Sequence, residues 1–152
     1  MDKISRRGAI RVITAGVLLA VAMPALAAEK APLGLKGYDP VAYFTEKRAT
    51  VGTPQFQLEW DGATYQFASA RHLELFKADP DRYLPQYSNL CAASVAKGLK
   101  VQGDPEHWLV VDGRLYLFGG AAGPGLMAGD PAMTRRADEN YPRVSQSLPS
   151  RP

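Results

Sequence analysis

A two-residue Asp-Gly turn between alternating segments constrains this chain more than any other feature. Gln55-Phe56-Gln57-Leu58-Glu59-Trp60 alternates polar and apolar side chains, which places Phe56, Leu58 and Trp60 on one face of a strand. Asp61-Gly62 is the turn a tight hairpin prefers, and Ala63, Tyr65 and Phe67 continue the alternation on the return strand. Trp108-Leu109-Val110-Val111 and Arg114-Leu115-Tyr116-Leu117-Phe118 flank a second such turn, Asp112-Gly113. The hairpins share a turn type and little else, so no internal repeat is expected.

Helical segments fill the gaps. Ser69 stands where an N-cap belongs, with Leu73 and Phe76 on one helical face, and Asp79-Pro80 stops that helix ahead of a turn through Asp81-Arg82-Tyr83. Asn89 is placed to cap a second helix over Leu90–Lys97, closed by Gly98. Gly37-Tyr38-Asp39-Pro40 is turn chemistry, leading into a short strand or helical turn over Val41–Phe44. The glycines between Gly119 and Gly129 predict a mobile loop, and Pro131–Asn140 a closing helix that packs Met133 and Ala137. The fold class expected is α+β: a small single domain of β-hairpins packed on short helices. Its core is expected around Trp60, Tyr65, Phe67, Phe76, Trp108 and Leu117.

The first residues read as an address. Basic residues around Ser5-Arg6-Arg7 precede an apolar run, Val12–Met23, and an Ala25-Leu26-Ala27 cleavage pattern. Residues 1–27 are therefore expected to be a signal peptide cleaved near Ala27, and the arginine pair points to the twin-arginine route and a periplasmic protein. Ala9 stands where that signal carries Phe, so the general secretory route stays open. Beyond it come a tail over 28–36, a domain over 37–141 and a disordered tail over 142–152. Removing 1–27 leaves 14 Lys and Arg against 14 Asp and Glu, so the formal charge of +3 belongs to the signal. Nothing basic remains to grip nucleic acid, and no membrane span is expected after cleavage. Cys91 is the one cysteine. It cannot form an internal disulfide, so it is either buried and inert or a thiol with a purpose.

The segments GYDPVAYF (from Gly37), TYQFASARHLELFKADPDRY (from Thr64) and Tyr87-Ser88-Asn89-Leu90-Cys91-Ala92 together resemble the YHS domain, and the likeness covers Gly37 to Tyr141. The resemblance implies a treble-clef-like core. Metal-handling members carry cysteines where this chain has Ala42, Ala68 and His72. It therefore implies a YHS-type binding module for a metal ion, copper or zinc, or a small cofactor, with Cys91 as anchor and His72 as second ligand. The other reading is a thiol-redox or accessory domain serving a periplasmic protein partner. Near the start of a helix, Cys91 is placed to have an acidic thiol. Tyr38, Tyr43, Tyr83 and Tyr87 are candidates to line a pocket for a small ligand. No nucleophile elbow or P-loop occurs, and catalysis is not the expected role.

Overall fold

The computed structural model describes residues 30–146. The expected signal peptide lies outside the described residues. Short elements succeed one another: α1 (Ala42–Thr45), the hairpin β1 (Thr53–Trp60) and β2 (Ala63–Phe67), α2 (Ala70–Ala78) and α3 (Pro80–Tyr83). Then come α4 (Ala92–Val95), the hairpin β3 (Asp104–Val111) and β4 (Arg114–Phe118), α5 (Gly123–Ala128) and α6 (Met133–Gln146). The strands form two separate antiparallel pairs, so the architecture is α+β. Both turns need left-handed backbone, which Asp61-Gly62 and Asp112-Gly113 provide.

The hairpins share far more than a turn. Adding 51 to each number of the first register gives the second: Thr53 opposite Phe67 becomes Asp104 opposite Phe118, and Gln57 opposite Gln66 becomes Trp108 opposite Leu117. The irregularity between Thr53 and Gln57 returns between Asp104 and Trp108. Ahead of each hairpin lie three successive left-handed residues, Leu35, Lys36 and Gly37, then Tyr87, Ser88 and Asn89. The N–H of Gly52 donates to Gly37 O, and that of Gly103 to Asn89 O, each at 2.8 Å. A side chain on Gly52 would strike Gln66, and one on Gly103 would strike Leu117, at the same place in the return strand. A helix succeeds each hairpin, and Asp79-Pro80 and Asp130-Pro131 lie beyond each helix end. The described residues thus hold two copies of one unit, the first from Leu33 to Leu84 and the second from Pro85 to Ala132, with α6 after them. The expectation of no repeat is overturned. What the copies share is backbone geometry, carried by a few Gly, Pro and Asp residues, and the buried pair Tyr65 and Phe67, repeated as Tyr116 and Phe118.

Two cores meet at β4. Leu115 and Leu117 pack with Val41, Tyr43, Tyr65, Phe67 and Phe76, while Tyr116 and Phe118 pack with Leu90, Val95, Met127 and Ala137. Burial on both faces explains why this strand is apolar and not alternating from Leu115 to Phe118. Trp108 is half-buried, edge-on to Tyr43 at 5.1 Å. Trp60, beside the first turn, is 41% exposed and does not belong to the core expected around it.

Four segments differ from expectation. The stretch 28–36 is not a loose tail where described: Thr64 N–H donates to Pro32 O at 2.8 Å, and Leu35 is buried inside a 3-10 turn over Gly34–Gly37. Asn89 does not cap a helix. It is left-handed, and Leu90 pairs with Gln102, so the helix starts only at Ala92. The glycine stretch contains α5, started by Pro124 near its first turn and anchored by buried Met127. Helix α6 packs Met133 and Ala137 as expected, yet runs through Pro142 to Gln146 because Val144 is buried in the second core. Residues 142–146 of the tail expected from 142 are therefore helical, and the rest of it lies outside the described residues. Among the described residues no helix is long and apolar enough to cross a membrane.

Candidate functional site

The bond pattern places Cys91 where the first unit has Asp39. Asp39 N–H donates to Thr50 O and Cys91 N–H to Val101 O, each at 2.8 Å. The second unit is two residues shorter at this point, so Cys91 is also the residue from which α4 starts, the role Val41 plays for α1. In the first unit the Asp39 carboxylate is fully buried. Its Oδ1 accepts from Val41 N–H at 2.8 Å, and its Oδ2 from Ala68 N–H at 2.8 Å and His72 Nδ1 at 2.6 Å. That is full satisfaction of a buried anion.

In the second unit a sulfur occupies the corresponding place. Cys91 is 6% exposed. Burial pushes its thiol pKa up. The Ser94 hydroxyl and the backbone N–H groups of Gly119, Ser94 and Ala93 outweigh that and hold the thiol below its usual value. Gly119 is the counterpart of Ala68, so one backbone donor serves the carboxylate in one copy and the sulfur in the other. Converging N–H groups of this kind stabilise a thiolate.

His72 does not join Cys91. The Ser69 side chain caps α2 at His72 N–H, 3.2 Å away, as the sequence predicts. The His72 ring is buried in the first unit, with Nδ1 on Asp39 and Nε2 3.2 Å from Thr45 Oγ1 and 3.9 Å from Glu46 Oε1. The groups that lower the Cys91 thiol pKa, on Ser94, Gly119 and Ala93, all lie in the second unit. Ala42 and Ala68 offer no ligand atom in their side chains, and one ring nitrogen of His72 is already taken. Ala42, Ala68 and His72 thus do not fit a metal together. Among the described residues, no group of three or more His, Cys, Asp and Glu is arranged to hold one.

The four candidate tyrosines do not line one pocket either. Tyr43 and Tyr83 belong to the first core with Tyr38 packed on it, and Tyr87 belongs to the second. Their hydroxyls tie elements together: Tyr38 to Glu106 at 2.8 Å, Tyr43 to Pro105 O at 2.9 Å and Tyr87 to Asp138 at 2.8 Å. Burial pushes the Tyr43 and Tyr87 hydroxyl pKa values up, so both stay neutral donors. A groove of about 390 Å³ opens instead between α4, α5 and α6, lined by Ala93, Ala96, Leu126, Met133 and Arg136 among others.

Comparison of the chain with family models, with curated proteins and with solved structures finds no match.

Sequence reasoning misses two things here. Asp39 reads as a turn residue, although it is the buried partner of His72. The correspondence of Asp39 and Cys91 is signalled in the sequence by the 51-residue spacing of Gly52 and Gly103, of the Asp-Gly and Asp-Pro pairs, and of Tyr65 and Phe67 with Tyr116 and Phe118.

Proposed function

We propose that the chain is an exported, YHS-type binding module whose chemistry resides at Cys91, a thiolate anchor for a metal ion, copper or zinc, or a small cofactor. One observation carries the reading: a buried thiol, held below its usual pKa by the Ser94 hydroxyl and nearby backbone N–H groups, takes the place where the sister unit buries a carboxylate. His72 is occupied by Asp39, so any further ligand comes from the cargo itself or from a partner. The YHS reading draws support from the Asp39–His72 bond. It joins the Gly37–Pro40 turn to the start of α2, the two places from which a treble clef draws its ligands. Export to the periplasm rests on the pattern of residues 1–27.

The acidic thiol also favours a second reading, in which Cys91 forms mixed disulfides with a periplasmic partner. Alkylation by iodoacetamide across pH tests the shared premise. The native protein is expected to reach half-maximal rate below the about 8.5 of an ordinary thiol. A midpoint at or above that value, or reaction only after denaturation, contradicts both readings. The same depressed pKa has a consequence for stability. It adds stability above the unfolded thiol pKa that is lost as pH falls through the folded value, and Cys91→Ser removes this dependence.

A further inference from the structure

The groove beside α4 marks a place where the second unit lacks a side chain that the first one has. Helices α1 and α4 begin with the same three hydrogen bonds. Phe44 and Thr45 N–H donate to Val41 O and Glu46 N–H to Ala42 O; Ser94 and Val95 N–H donate to Cys91 O and Ala96 N–H to Ala92 O. Ala93 is therefore the counterpart of Tyr43. In the first unit the Tyr43 ring leaves its own unit and fills the space against the next one, edge-on to Trp108 with its hydroxyl on Pro105 O. Beyond the second unit the chain continues as α6. There Ala93 stops at a methyl group, and the groove lies between it, Leu126 and Met133.

The charge at the rim narrows what could enter. Arg136 is held by Asp130, and these two cancel. Lys97, also lining the groove, is exposed and has no ion-pair partner among the described residues. An apolar slot of this volume with one uncompensated cation suits a small ligand having a flat apolar body and one negative charge.

We propose that this groove binds a small aromatic monoanion, with its ring in the space left by the missing tyrosine side chain and its acid group at Lys97. The groove adjoins the Cys91 site through Ala93, whose N–H acts on the sulfur while its methyl group lines the groove, and binding does not depend on what that sulfur holds. Benzoate titrated into isotope-labelled mature protein, followed by amide chemical shifts, tests it. Saturable shifts are expected at Ala93, Leu126 and Gly129, and those at Leu126 and Gly129 are expected to give the same affinity in Cys91→Ser. Lys97→Gln is expected to weaken binding about threefold, the worth of an exposed ion pair, and neutral benzyl alcohol to bind correspondingly less well. Ala93→Phe supplies the ring internally and abolishes the shifts. Should that variant fail to fold, Leu126→Asp, at a position 54% exposed, sets a like charge beside the slot and weakens benzoate by more than about tenfold. No saturable shift, shifts elsewhere, or shifts undiminished in Ala93→Phe or Leu126→Asp would overturn the site. Equal affinity for benzyl alcohol would overturn the anion and leave a neutral apolar guest.

Discussion

Asp39 and Cys91 are one position filled in two ways. Asp39 is an anion whose oxygens receive two backbone N–H groups and an imidazole, with no exposure to water. Asp39→Ala leaves those donors buried and unpaired, and is expected to cost about 3 kcal/mol in urea unfolding. Cys91→Asp places a carboxylate among donors of the same kind, and is expected to fold cooperatively and remain more stable than Asp39→Ala. A Cys91→Asp chain that fails to fold, or unfolds earlier than Asp39→Ala, contradicts the correspondence. None of this is visible from residue type. Aspartate before proline is sufficiently explained by a turn, and a lone cysteine by packing. Only the paired bonds, Asp39 to Thr50 and Cys91 to Val101, bring the two into register.

Among the elements, what is legible is what is local. The Asp-Gly hairpins and the Ser69 cap depend on neighbours within a few residues, and the structure has them as the sequence predicts. Asn89 misleads because its conformation is set from afar. The left-handed run from Tyr87 to Asn89 presents Asn89 O to Gly103, beyond the reach of any local pattern. Helix α6 outruns its local signals for a related reason. Pro142 is a stop signal locally, but burial of Val144 and the Asn140 bond to Ala96 O hold the last turn against α4. Ending the chain after Tyr141 is therefore expected to cost about 2 kcal/mol, the burial of one aliphatic side chain. An unchanged unfolding midpoint would mean that residues 142–146 contribute nothing.

Over the whole molecule, two copies of a unit share one wall, β4, and have parted in their chemistry. The first closes its buried site internally with His72 and carries Tyr43 onto its neighbour. The second has a sulfur in place of the carboxylate and an open groove where the ring would lie. The repeat is written in the sequence as two glycines, two Asp-Gly pairs and two Asp-Pro pairs at constant spacing. Tyr65 and Phe67 recur as Tyr116 and Phe118 at the same spacing, but most other positions differ in type, so the repeat is hard to see there. The central claim is that Cys91 anchors a bound species. Elemental analysis with an absorption spectrum of mature protein recovered from the periplasm, beside Cys91→Ser, tests it most directly. Stoichiometric metal or a chromophore in the first sample and not in the second is the result expected. Two clean, colourless samples, or equal metal in both, would contradict it.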